Sequence, residues 1–143
     1  MKTKKILLVE DNPDDATLIK MSLEKGGMAQ DVVTLRDGQA AIEYLRKCGS
    51  GENRDGFPVV VLLDLKLPKL DGLEVLERLR AEPKTRLQPV VILTSSDEAR
   101  DRLKSYDLGA NSYVCKPVDS GEFNEAVDRL GCYWTRLNKT PMD

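Results

Sequence analysis

Histidine is absent from the chain. That removes the commonest general base and the commonest metal ligand, so Ser-His and Cys-His nucleophilic pairs and His-ligated zinc sites are excluded. Cysteine is scarce too. Cys48, Cys115 and Cys132 are widely spaced, with no C-x-x-C pair to hold zinc or a redox dithiol, and read as reduced thiols. Charge of one sign is missing as well: 22 Lys and Arg stand against 24 Asp and Glu, a net −2. No sequence-wide basic field exists to hold nucleic acid or an anionic membrane, so neither is expected as a partner. Long apolar runs are lacking. The run after the basic Lys4-Lys5 lasts only from Ile6 to Val9 before Glu10 and Asp11 stop it, too short for a signal sequence or a membrane span. The expectation is a soluble, cytoplasmic protein whose chemistry uses Asp, Glu, Lys, Ser, Thr or Tyr.

What is present is a repeated alternation within 143 residues, a length that suits one domain, 1–143. Short runs rich in β-branched residues occur at Ile6–Val9, Asp31–Leu35, Val59–Leu63, Val90–Leu93 and Ser112–Cys115. Apolar runs without polar alternation mark strands covered on both faces, as in parallel sheets. Helical patterns lie between them. The first opens at Asn12-Pro13-Asp14-Asp15, carries Ala16, Ile19 and Leu23 on one face, and ends at Gly26-Gly27. The second spans Gly38 to about Lys47, followed by a loop from Gly49 to Pro58. The third follows Asp71-Gly72 and stops before Pro83. The fourth starts near Asp97, capped by Ser96 or Asp97, and ends at Leu108-Gly109. The fifth begins after Asp119 or Ser120 and shows Phe123, Val127, Leu130, Trp134 and Leu137 at helical spacing, making 119–143 an extended last helix and tail. Five strands alternating with five helices predict a doubly wound (flavodoxin-like) α/β three-layer sandwich with a parallel sheet.

In that architecture ligands bind at the carboxyl ends of the strands. The first run ends in Glu10-Asp11, the third in Asp64, the fourth in Thr94-Ser95 and the fifth in Lys116-Pro117. Carboxylates crowded together repel unless a cation sits among them, and hard oxygen donors suit Mg²⁺. A carboxylate nucleophile, a divalent cation, a lysine and a hydroxyl are the minimum for moving a phosphoryl group onto Asp. An acid directly after five apolar residues, as Asp64 is, is expensive to place without a partner. Asp14 and Asp15 read instead as complements to the helix dipole, and Asp71-Gly72 as a turn.

These ordered residues resemble a response-regulator receiver domain of two-component signalling over essentially the whole chain. Glu10-Asp11, Asp64, Thr94-Ser95, Tyr113 and Lys116-Pro117 carry the likeness, with thirty residues between Asp64 and Thr94 and fifty-two between Asp64 and Lys116. The resemblance implies that Asp64 is the phosphoacceptor, attacking the phosphohistidine of a sensor histidine kinase. It implies a Mg²⁺ site made by Asp11, Asp64 and the Lys66 backbone carbonyl, with Glu10 acting through water. Lys116 would pair with Asp64 or its phosphoryl oxygens, and the bond to Pro117 would be cis. Thr94 and Tyr113 would be the switch residues, Tyr113 swinging inward once Thr94 moves. The segment around Asp64, the long loop and the tail resemble the single-domain regulators associated with bacterial phytochromes. Such a protein signals by contact with a downstream protein and forms a homodimer through its last helix, with Trp134 and Leu137 as interface residues.

Two other classes compete. Phosphatases of the haloacid-dehalogenase type use the same groups but need a second acid two residues after the nucleophile, where this chain has Lys66. A pseudo-receiver would bind through the Trp134 face without phosphorylation, yet every acceptor-site group is present. The reading is therefore of a signalling protein rather than an enzyme with turnover.

Overall fold

The computed structural model describes residues 4–25, 31–52, 56–117 and 119–141. Five strands, β1 (Lys5–Val9), β2 (Asp31–Leu35), β3 (Val60–Leu63), β4 (Val90–Thr94) and β5 (Ser112–Cys115), form one parallel sheet in the order β2-β1-β3-β4-β5. The helices α1 (Pro13–Lys25), α2 (Gly38–Ser50), α3 (Gly72–Ala81), α4 (Ala99–Asp107) and α5 (Ser120–Cys132) alternate with them, and a π-helical turn at Tyr133–Leu137 prolongs α5. The expected doubly wound sandwich is what forms.

Strand residues alternate between two cores because successive side chains leave opposite faces. Ile6, Leu8, Val60, Leu62, Val91 and Leu93 meet Ala16, Ile19 and Leu23 of α1 and Phe123 and Val127 of α5. Leu7, Val9, Val61, Leu63 and Ile92 meet Ala41, Ile42 and Leu45 of α2 and Val75, Leu76 and Leu79 of α3. Both faces of β1, β3 and β4 are thus covered, which is why their runs carry no polar alternation. On the edge of the sheet opposite the strand tips, Arg80 ties α3 to the turn before β5. Its guanidinium donates to the carbonyls of Gly109, Arg86 and Gln88 and to Asn111 Oδ1 at 2.8–3.1 Å. Among the described residues no helix is long and apolar enough to cross a membrane.

Several boundaries differ from expectation. Helix α2 runs three residues past Lys47 and closes at Gly51 with φ 85°, a left-handed cap, so the following loop is shorter than the stretch from Gly49. Gly26 and Gly27, and the middle of that loop, lie outside the described residues. Helix α4 starts at Ala99 behind Glu98, whose side chain makes no cap bond, rather than behind Ser96 or Asp97. Both are engaged otherwise: Ser96 Oγ donates to Asp101 Oδ2, and Asp97 accepts from Arg102.

The tail brings the larger correction. Trp134 is only 8% exposed and belongs to the α1/α5 core, its ring edge-on to Tyr133 at 5.1 Å. Trp134 stands four residues beyond Leu130 and seven beyond Val127, so ordinary helical spacing carries it onto the face that packs against the sheet. The wider i→i+5 bond from Asn138 N to Tyr133 O at 2.7 Å closes the helix beyond it and leaves Leu137 68% exposed. Trp134 is therefore a core residue of this chain, while Leu137 faces solvent.

Candidate functional site

Parallel register places the strand tips side by side. Val9 pairs with Leu63, so Glu10 and Asp64 are neighbours, and Asp64 N bonds Val9 O at 3.1 Å. Leu63 pairs with Ile92 and Thr94 with Cys115, which sets Thr94 on one side of Asp64 and brings Lys116 to the same rim. Lys116 N bonds Thr94 O at 2.7 Å, prolonging the ladder. The Lys116–Pro117 bond is trans, contrary to expectation. An X-Pro bond prefers trans by only about 0.5–1 kcal/mol, so the sequence does not dictate the isomer.

Glu10, Asp64 and Thr94 are buried, the last completely. The Lys116 ammonium stands among three carboxyl groups. It donates to Glu10 Oε1, to Asp64 Oδ2 at 3.1 Å and to Asp15 Oδ2 at 3.0 Å. Burial next to Asp64 pushes the Glu10 carboxyl up to about 7, against the lowering effect of Lys116. Burial acts in the same direction on Asp64, but the adjacent Glu10 and Thr94 and the Lys116 ammonium hold its carboxyl below the usual carboxylate range. Burial opposes the charged form of Lys116, yet Glu10, Asp64 and Asp15 together raise its pKa. The two neighbouring carboxyls are thus pushed apart: burial makes Glu10 the one that resists ionisation, and its neighbours keep Asp64 the more acidic of the two.

Asp11 is exposed at the mouth of an open cavity of about 500 Å³, lined also by Leu65, Lys66, Pro68, Ser96 and Asp101. Among the described residues no group of three Asp, Glu or Cys side chains is placed to hold a metal ion by itself. The ammonium of Lys116 occupies the centre of the carboxyl cluster, and Asp11 stands apart from it. A divalent cation nevertheless suits the donor set. Asp64 Oδ1 has only a weak bond from Lys66 N at 3.4 Å, and no donor among the described residues bonds the Lys66 carbonyl. Asp11 and Lys66 line the open cavity, and Asp64, two residues before Lys66, adds a further hard oxygen of the kind that Mg²⁺ with retained waters takes.

The remaining rim residues are interlocked. The Tyr113 hydroxyl donates to Ser96 O at 2.8 Å and its half-buried ring packs on the α2/α3 core, while Thr94 Oγ1 accepts from Ser96 N at 3.3 Å. Burial raises the Tyr113 pKa. Tyr113 is thus already anchored over the β4–α4 loop rather than poised outside it. Asp71 caps α3 by accepting from Glu74 N at 2.9 Å, and Gly72 admits the close approach of the Asp64 carbonyl.

The structure brings together Glu10, Asp64, Thr94 and Lys116, sets Asp11 and the Lys66 carbonyl on the bordering cavity, and adds Asp15, which the sequence reading left as a dipole complement. Its signal was faint: an acid in the first turn of a helix points either to solvent or across the rim, and only the helix's rotation decides.

A buried, ionised aspartate held by lysine and threonine at the carboxyl edge of a parallel α/β sheet defines a phosphoryl-handling switch domain. Residues 6–128 match the response regulator receiver domain family, and the chain belongs to that family. The chain is 40% identical over 136 residues to the probable methanogenesis regulatory protein FilR2 of Methanothrix harundinacea, covering 95% of this chain and 86% of that protein. The crystal structure of the phosphorylated cyanobacterial phytochrome response regulator RcpA superimposes with a TM-score of 0.89 at 39% identity, covering 97% and 99% of the two chains. Response regulator Rcp1 of Synechocystis is 37% identical over 96% of this chain and 93% of that protein, and its Mn²⁺-bound structure superimposes with a TM-score of 0.86. Receiver domains bind a divalent metal and act as phosphoryl-accepting modules of two-component signalling rather than as turnover enzymes.

Proposed function

We propose that Asp64 is the phosphoacceptor of this receiver domain. An Asp64 oxygen attacks the phosphorus of a phosphohistidine on a sensor histidine kinase. The O–P bond forms as the P–N bond breaks, and the released imidazole nitrogen takes a proton. The observation carrying this reading is the Lys116 ammonium 3.1 Å from the buried Asp64 carboxylate, whose chain neighbours Leu65 and Lys66 line an open cavity. Lys116 balances charge on the transferred group, and the Thr94 hydroxyl stands ready to donate to it. Mg²⁺, held by Asp11, Asp64 and the Lys66 carbonyl with Glu10 behind, supplies positive charge for the phosphoryl oxygens when bound. The new aspartyl phosphate carries about −1.5 to −2 of charge, which redirects Lys116 and Thr94 and loosens the Ser96 contacts of Thr94 and Tyr113. These 143 residues hold no histidine, so the phosphoryl group reaches Asp64 from a donor outside them.

Residues 1–143 form one cytoplasmic receiver domain whose helix five and tail, 119–143, are extended. The donor is a sensor histidine kinase of the bacterial phytochrome type, supported by the likeness to RcpA. Output goes to a downstream protein by contact, without nucleic acid or membrane. A second copy docks against the last turn, where Leu137 and Tyr133 are exposed. Intact-mass spectrometry after incubation with acetyl phosphate and Mg²⁺ tests the acceptor: one acid-labile phosphoryl group appears on the wild type and none on Asp64→Asn. Labelling that persists in Asp64→Asn refutes the assignment.

A further inference from the structure

The Lys116 side chain is 8% exposed and its ammonium has three hydrogens, all directed to carboxyl oxygens: Glu10 from β1, Asp64 from β3 and Asp15 from α1. A lysine on a four-carbon stem has little orientation of its own. Two acceptors on adjacent strands leave the ammonium free to swing about the line between them, and a third acceptor from another layer of the fold stops that motion. Asp15 is built to be that third point. Asn12 Oδ1 caps α1, accepting from Asp14 N at 2.9 Å and Asp15 N at 3.0 Å, and Ala16 N bonds Asn12 O at 3.0 Å. The carboxylate is thereby fixed on the first helical turn, facing across the rim to the end of β5. Asp14, its neighbour, is exposed and touches none of these groups.

We propose that Asp15 is a positioning residue of the acceptor site. Working through Lys116, it holds two of the ammonium's donors away from Asp64 in concert with Glu10, so that the third points at Asp64 before transfer and at a phosphoryl oxygen after it. The proposal rests on Asp64 being the acceptor. It differs from a helix-dipole role, which Asp14 would share.

Two measurements on the whole chain test it. In ¹H–¹⁵N spectra without metal, the hydrogen-bonded Lys116 ammonium gives a resolved, slowly exchanging resonance in the wild type and in Asp14→Asn. The resonance broadens away in Asp15→Asn, which keeps the shape and the cap. With acetyl phosphate at saturating Mg²⁺, the maximal phosphorylation rate of Asp15→Asn falls about tenfold, the scale for losing one charge-assisted orienting bond. The half-saturating donor concentration stays unchanged, and Asp15→Glu recovers part of the rate. A sharp Lys116 resonance in Asp15→Asn overturns the proposal, as does a rate equal to or above wild type. If the wild type itself takes no phosphate, the acceptor assignment fails, and the resonance alone decides whether Asp15 orients Lys116.

Discussion

Replacing Lys116 with methionine tests the electrostatics of the rim most directly, because the methylenes stay packed while the ammonium disappears. Three hydrogen bonds to carboxyl groups are lost. Bonds to charged partners are each worth about 1.5–3 kcal/mol when both ends are buried, and the one to Asp15, a third exposed, is worth less. Against this, the lysine no longer has to be desolvated, and Glu10 can keep its proton. The net loss is about 1–2 kcal/mol at pH 6. The pH dependence follows from Glu10, whose folded pKa of about 7 lies above its ordinary 4.5. A carboxyl raised on folding contributes stability at low pH that is lost as pH rises to the folded pKa. Lys116 lowers the Glu10 value, so its removal carries that loss above pH 7, where the wild type has finished losing it. Each unit of upward shift adds about 1.4 kcal/mol, giving a loss of about 2–3 kcal/mol at pH 8. That is a drop of roughly 5–10 °C in Tm for a domain of this size. Urea unfolding in EDTA at pH 6 and pH 8, followed by circular dichroism and the fluorescence of the buried Trp134, measures both numbers. A loss at pH 8 equal to or smaller than at pH 6 refutes the account of Glu10 as a carboxyl raised by burial and restrained by Lys116.

Gly72→Ala places a Cβ 2.3 Å from the Asp64 carbonyl oxygen and 2.8 Å from Leu65 Cα, so backbone must move. The expected result is a loss of about 1–3 kcal/mol in thermal unfolding, with slower acetyl phosphate labelling because Asp64 itself is displaced; wild-type labelling would show that the rim tolerates the shift. Leu137→Asp, at a side chain 68% exposed, should leave unfolding unchanged and move the sedimentation profile toward monomer. An unaltered profile removes the last turn as the dimer seam.

The acceptor rim was legible because an apolar run interrupted by a polar or charged residue marks both a strand end and the side of the sheet on which it lies. Glu10, Asp64, Thr94 and Lys116 each follow such a run, and parallel register does the rest. The same logic failed for Asp15 and Trp134. A helix-borne side chain is aimed by the rotation of its helix, which depends on packing against elements far away in sequence. Trp134 continues the Val127 and Leu130 stripe, but the stripe alone does not say whether its far end meets the sheet or a partner. Arg80 was invisible for a similar reason, since its acceptors are backbone carbonyls that no sequence pattern advertises.

Alone, then, the order of apolar runs, caps and breaks determined the doubly wound fold and the chemistry gathered at its edge, because both depend on periodicity and on which residue follows each strand. Tertiary structure decided which acids share Lys116, which of them burial makes harder to ionise, and which end of the tail meets solvent, because those depend on distances of a few ångströms and on burial that no single segment controls.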